Sequence, residues 1–221
     1  MKRAIPDSIP RAALVTGGPF SGAIADALAG AGFAVAVQRH PDTGPTSRGK
    51  TLLLPADLSD EAHTAVLIDR ATAALGPIGV LVNAAGALAP DPWDTLTRAN
   101  WDMHMAINAR APSVLIQRFA RLLPSGLEGV AINFLDQRVN RGSISYGASK
   151  AALWALTQSL ALALAPGIRV NGIAPMEGDA PGDTPWNMAE EDVARAVIAI
   201  LAFPSMTGQM IVPGGVPRRA A

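Results

Sequence analysis

The sequence predicts a single α/β domain built on one doubly wound parallel sheet, and three observations carry that prediction. Short apolar runs of strand length alternate with helical patterns along the whole chain. The runs are continuously apolar rather than alternating with polar residues, as expected of strands covered on both faces. A glycine-rich turn directly follows the first run, where a doubly wound sheet places its ligand-binding turn.

Taken in order, Ala12–Thr16 is the first expected strand and Ser21–Ala31 an alanine-rich helix closed by Gly32. Ala34–Val37 and Thr51–Leu54 are the second and third strands, and Asp60–Leu75 is a helix ending at Gly76-Pro77. Val80–Asn83 is the fourth strand, and Trp93–Leu123 holds one or two helices, with Trp93 and Trp101 packing a helix–loop region. Val130–Leu135 is the fifth strand, followed by a long helix that begins near Tyr146. Arg169–Ile173 is the sixth strand, Glu190–Ala202 a helix capped from the preceding segment, and Gln209–Val212 the last strand. Right-handed crossovers between parallel strands then give a Rossmann-type fold with helices on both faces. One domain spans residues 1–221, with a short substrate loop at 175–188.

Composition narrows the function. The chain is 49% hydrophobic and 16% charged over 221 residues, which excludes a disordered chain and supports a full core. The formal net charge is zero, so no global field recruits nucleic acid or an anionic membrane. A small-molecule substrate is expected. Cysteine is absent, which rules out disulfides, thiol catalysis and cysteine-based zinc sites and fits a cytoplasmic protein. His40, His63 and His104 lack metal-ligand spacing, so no metal is expected. The apolar stretch Ala151–Ala165 contains Thr157, Gln158 and Ser159 and is too short to span a membrane. It suits a helix with one face in a subunit interface, hence a homodimer or homotetramer.

Chemistry is concentrated at the carboxyl ends of the strands. After the first strand, Thr16-Gly17-Gly18-Pro19-Phe20-Ser21-Gly22 opens a helix. Backbone amides at a helix start, with glycines allowing close approach, suit a pyrophosphate. The second strand ends Val37-Gln38-Arg39-His40, with no acid to bind a ribose 2′-hydroxyl. Arg39 instead offers a planar fork for a 2′-phosphate, which favours NADP(H) over NAD(H). Asp57-Leu58 after the third strand can meet an adenine edge; Asp57 equally suits a turn or cap. Tyr146 and Lys150 stand four apart at the head of the long helix and so share a face. An ammonium one turn away favours the phenolate and moves the tyrosine toward working pH. Asp136 closes the preceding strand.

The set Thr16-Gly17-Gly18, Asn83-Ala84-Ala85-Gly86, Asn108, Tyr146-Gly147-Ala148-Ser149-Lys150 and Arg169-Val170-Asn171 with Pro175 resembles the short-chain dehydrogenase/reductases over nearly the whole chain. The resemblance implies hydride transfer from a nicotinamide cofactor. It makes Tyr146 the proton donor and Lys150 the residue that activates it and holds the nicotinamide ribose. It makes Asn108 the support of a water relay, and it sets Asn83, Ala84, Ala85, Gly86 and Pro175 against the cofactor. Most members carry serine at the end of the fifth strand. Asp136 at that place is similar to the pteridine reductases, including dihydromonapterin reductase-like members. That narrower resemblance implies reduction of a pterin ring imine, with Asp136 passing a proton or accepting the pterin's amino and ring N–H groups.

This chain departs from the pattern in places. The glycine-rich turn is about two residues short of the family's usual form, so Ser21 or Gly22 must stand where spaced glycines are usual. Pro19 removes one amide donor. Leu88 replaces an aromatic expected against the substrate, and Met176 replaces a glycine. Leu88, Met176 and Trp186 are the expected substrate-lining residues beside Asp136. The alternatives are a ketone, aldehyde or sugar reductase of the same family, and a non-catalytic nucleotide-binding or scaffold member.

Overall fold

The computed structural model describes residues 4–43, 51–136, 142–175 and 189–213. Seven strands form one parallel sheet in the order β3-β2-β1-β4-β5-β6-β7. They are β1 (Ala12–Val15), β2 (Ala34–Arg39), β3 (Leu52–Pro55), β4 (Val80–Asn83), β5 (Gly129–Phe134), β6 (Ile168–Ile173) and β7 (Met210–Ile211). The strand order reverses between β1 and β4, and a crevice opens at the carboxyl ends of strands on either side of such a point. Asn83 pairs in register with Asn133, so Ala84–Gly86 and Leu135–Asp136 leave the sheet side by side.

Burial on both faces explains the unbroken apolar runs. Along β1, Ala13 and Val15 join one core with Ile24 and Leu28, while Ala12 and Leu14 join the other with Leu115 and Phe119. Successive side chains point to opposite faces of a strand, so every position of β1 is interior. Helix α1 (Ser21–Gly30) buries Ile24, Ala25 and Leu28 on the first core. The chain reverses through Gly32, whose φ of +87° is cheap only for glycine.

Three expectations need correction. The helix expected over 60–75 is two helices, α2 (Glu61–Ala65) and α3 (Leu67–Leu75), meeting at Val66. The break turns the stripe Leu67, Ile68 and Ala71 onto the sheet, whereas α2 buries only Thr64. The helical region expected from Trp93 begins at Arg98, because Thr97 caps it by accepting the Asn100 amide at 3.2 Å. It continues as α4 (Arg98–Met105), a π-helical turn (Ala106–Arg110) and α5 (Ala111–Leu122). Trp93 lies outside it and is 84% exposed in the single chain rather than packed into a helix–loop region. The cap expected for α7 (Glu190–Leu201) from the preceding segment lies outside the described residues; Glu190, Glu191 and Asp192 in its first turn favour its N-terminal dipole.

The long helix α6 (Ile144–Leu164) buries Ser145, Ser149, Lys150, Leu153, Thr157 and Ala161 along one face. Leu162 on the opposite face is 84% exposed, on the helix where a subunit interface is expected. Among the described residues no helix is long and apolar enough to cross a membrane.

Candidate active site

Two adjoining cavities lie along the crevice and share Gly86 and Ala87. The first, the candidate catalytic cavity, is lined from β5, α6 and the loop after β4. Tyr146 in the first turn of α6 donates its hydroxyl to Asp136 Oδ2 at 3.0 Å. Lys150, one turn on, is 5% exposed and donates to the Phe134 carbonyl at 2.8 Å. Its Nζ lies 5.8 Å from the Tyr146 ring centre. Burial pulls the Lys150 pKa from 10.5 down to about 8, against the opposing attraction of Asp136. The ammonium is therefore charged at neutral pH but close enough to its midpoint to exchange protons.

Asn108 sits fully buried in the π-helical turn. Its Oδ1 accepts the Ala87 amide at 2.8 Å, and its Nδ2 donates to the Ala87 carbonyl and to Ser149 Oγ. It thus clamps the loop after β4 to α6. A Cβ on Gly86 would come within 3.4 Å of both Asn108 Oδ1 and Lys150 Nζ, so the glycine leaves the space between them. The expected water relay would have to use this gap.

The other cavity is lined by Gly17, Gly18, Arg39, His40, Asp57, Leu58, Ala85 and Gly86, among others. It has the features an adenosine phosphate needs. A Cβ on Gly18 would lie 2.3 Å from the Ala84 carbonyl, so only glycine permits this turn to run so close to β4. Arg39 Nε is buried with no hydrogen-bond partner among the described residues, leaving a donor for a phosphate oxygen. His40 Nε2 stands 3.8 Å from Asp57 Oδ2. Asp57 accepts the amide and hydroxyl of Ser59, both at 2.8 Å, and these bonds hold its carboxyl below the usual range. Asp57 is both a turn residue and part of this wall.

The structure brings together most, but not all, of the expected site. Ala84, Gly86, Leu88, Asp136, Tyr146, Lys150 and Pro175 line the catalytic cavity. Thr16, Ser21, Gly22 and Asn83 line neither cavity. Thr16 Oγ1 accepts the Ala85 amide, and Ser21 Oγ donates to the Gly18 carbonyl. Asn83 Nδ2 donates to Asn133, which in turn donates to Thr157, so this ladder ties β4 to β5 and α6. These polar groups are held by buried neighbours and shape the crevice from behind. Leu88 is 60% exposed and forms a rim rather than a stacking wall. Met176 and Trp186 lie outside the described residues.

Sequence reasoning missed Gln38. It is buried in β2, where its Oε1 accepts the Gly17 amide at 2.9 Å and its Nε2 donates to the Ala56 carbonyl. The Gly17 amide expected to face a pyrophosphate is therefore already bonded. A glutamine at the end of an apolar strand is the signal that points to such a strut. Phe20 was also missed: the short turn brings it into the catalytic cavity, stacked on Phe134 at 6.1 Å. A third signal is the spacing of Asn100, His104 and Asn108 on one helical face. They bond to Pro90, Ala89 and Ala87 respectively and fasten the whole loop after β4.

Comparisons with known proteins agree with this geometry. The family model for enoyl-(acyl carrier protein) reductases matches residues 20–181. The FolM alternative dihydrofolate reductase 1 of Brucella canis, solved in complex with NADP, is 34% identical, with a TM-score of 0.83 over 96% of this chain and 95% of that one. The 4-formylbenzenesulfonate dehydrogenase TsaC1/TsaC2 of Comamonas testosteroni is 32% identical over 76% of this chain and 73% of its own. The 2-dehydro-3-deoxy-D-gluconate 5-dehydrogenase of Dickeya dadantii is 35% identical over 59% of this chain. That match spans 54% of the relative's length, about half, as does the match to an uncharacterized oxidoreductase of Schizosaccharomyces pombe at 50%. With the family model covering most of the chain and the Tyr146–Lys150 geometry in place, the chain belongs to the short-chain dehydrogenase/reductase family of NAD(P)-dependent oxidoreductases.

Proposed function

We propose that this chain is an NADPH-dependent reductase acting on a C=N or C=O bond, with a dihydropterin or related heterocycle as its substrate. The observation that carries the reading is the hydrogen bond from Tyr146 to Asp136 at 3.0 Å, where most family members have serine. NADPH, when bound, supplies the hydride. Charge then develops on the substrate heteroatom, and Tyr146 Oη is the group placed to give it a proton. Asp136 accepts that hydroxyl and, after taking up a proton from solvent, can pass it back to the phenolate. A carboxylate there also accepts from the amino and ring N–H groups of a pterin, which a serine hydroxyl does less well. Lys150 favours the phenolate left behind. Arg39, whose Nε has no partner among the described residues, is assigned to the 2′-phosphate. The FolM relative, an alternative dihydrofolate reductase solved with NADP, supports the same choice of cofactor and substrate class.

One observation favours a second reading, a ketone or sugar reductase. Leu88 gives no aromatic wall for a flat ring, and relatives include the L-xylulose reductase of Bos taurus. The experiment is NADPH oxidation with 7,8-dihydrobiopterin and with cyclohexanone, in wild type and Asp136→Ala. The proposal expects faster pterin reduction, cut about tenfold or more by the substitution. Faster ketone reduction that ignores Asp136→Ala transfers the protein to the second reading. No binding of NADPH by calorimetry would remove both.

A further inference from the structure

Asp91, His104 and Ser145 are fully buried and meet at the head of α6, yet none of them lines either cavity. Ser143, which precedes the helix, supplies no side-chain cap. Asp91 takes that role from the loop after β4. Its Oδ2 accepts the Ser145 amide at 3.0 Å and also the Ser145 hydroxyl. The two segments are joined by their backbones as well, through Asp91 N–H to Gly142 O at 2.8 Å and Ile144 N–H to Asp91 O at 3.2 Å.

The geometry fixes where the protons are. Ala89 N–H donates to His104 Nε2 at 3.0 Å, so that nitrogen carries no proton. The imidazole proton is then on Nδ1, which lies 2.6 Å from Ser145 Oγ and donates to it. The serine proton is left for Asp91. His104 and Asp91, 3.7 Å apart, are therefore not an ion pair, and burial keeps the imidazole neutral by lowering its pKa. Asp91 Oδ1 is buried without a hydrogen-bond partner among the described residues. Asp91 Oδ2 accepts both Ser145 donors, the bonding pattern of a carboxylate.

We propose that Asp91, held by Ser145 and neutral His104, is a positioning residue that keeps Tyr146 protonated and so poises the site to donate a proton in the reducing direction. The proposal rests on Tyr146 being the acid of the reaction. Among the described residues, three titratable groups face Tyr146, and a fourth reaches it through the helix cap. Asp136, after β5, accepts its hydroxyl. Lys150 lies one turn along α6. His104 on α4 meets the tyrosine ring edge-on at 6.0 Å. Asp91 bonds to the residue immediately before it. Two carboxylates favour the phenol, one ammonium opposes them, and the neutral imidazole adds no charge.

Tyr146 is the only tyrosine in the chain, so the near-ultraviolet absorbance of phenolate reports its ionisation alone, with no substrate needed. Asp91→Asn keeps an acceptor for the Ser145 amide but removes the charge. It should lower the Tyr146 midpoint by about half a unit or more. An unchanged midpoint in a folded Asp91→Asn protein would mean a purely structural cap and would overturn the proposal. His104→Gln retains both an acceptor for Ala89 and a donor for Ser145 and should keep the wild-type midpoint; a shift matching that of Asp91→Asn would overturn the neutral-holder role. If Asp91→Asn does not fold, nitrogen NMR of labelled histidine in wild type decides. His104 should stay neutral, with its proton on Nδ1, across the range around neutral pH where a free imidazole titrates. A charged His104 in that range would neutralise Asp91 and sink the idea. Because the titration needs no turnover, a chain that reduces neither pterin nor ketone would refute the proposed function and leave this result readable.

Discussion

The two halves of the crevice are built by different means. Around Gly18 and Arg39 the wall is mostly backbone, brought close by glycine and braced by the Gln38 strut. Around Tyr146 it is side chains from separate elements, each fixed by buried partners such as Asn108 and Phe134. A backbone wall binds any ligand of the right shape, so changes there should alter affinity. A wall of titratable groups sets proton traffic, so changes there should alter turnover. The difference teaches that binding and chemistry are separable in this fold, and each variant below is chosen to break that separation or sharpen it.

The largest effect is expected at the catalytic half. Tyr146→Phe removes the proposed proton donor while keeping the ring against His104 and near Lys150. Turnover should fall by about 10³-fold, the scale of a positioned general acid, with NADPH affinity unchanged within about twofold. Steady-state kinetics and calorimetric titration give both numbers. A large loss of NADPH affinity would show that the halves are coupled through the phenol, and retained turnover would exclude Tyr146 as the acid.

How much of this was legible in the sequence follows the same division. The sheet, the glycine turn and the Tyr146–Lys150 face were readable because strand burial and helical spacing are local properties. Asp136 was readable for the same reason, as the first polar residue after an apolar run. Three groups were not. Gln38 looked like an ordinary strand end, because its partners Gly17 and Ala56 are 21 and 18 residues away. The bond from Asn83 to Asn133, and from Asn133 on to Thr157, was hidden for the same reason, since these residues are 50 and 24 positions apart. Asp91 caps a helix 54 residues downstream, a pairing that only the folded chain creates. Side chains whose partners are distant in sequence carry the information that pattern reading cannot reach.

A second prediction concerns stability and tests how costly the catalytic half is. The folded-state pKa of Lys150 is about 8, below its ordinary 10.5. Below pH 8 both folded and unfolded chains carry the charge, and the fold bears the full cost of burying it. Between those two values the unfolded chain holds more protons, so this group makes stability rise with pH; above the upper value the cost is gone. Lys150→Met should therefore stabilise the protein at neutral pH by on the order of 3 kcal/mol at most and flatten that rise, while abolishing turnover. Denaturant melts at about pH 7 and pH 10 check the sign. A less stable Lys150→Met protein at neutral pH would mean that the bond to Phe134 outweighs desolvation.

The smallest effect is expected at the backbone-built half, where Arg39 is proposed to read the cofactor. Arg39 is half-buried, and its Nε has no hydrogen-bond partner among the described residues, which suits the proposed phosphate contact. The neighbouring His40 and Asp57 are engaged with each other and with Ser59. Arg39→Ala should weaken NADPH about tenfold, as loss of one charge-assisted contact does, and leave NADH affinity unchanged. Arg39→Lys should restore the charge but not the bidentate geometry and so recover only part of the loss. Calorimetry with both cofactors separates these outcomes. Equal weakening of NADH would show that Arg39 shapes the turn rather than reading the phosphate, and a matching fall in turnover at saturating NADPH would show that the two halves of the crevice communicate after all.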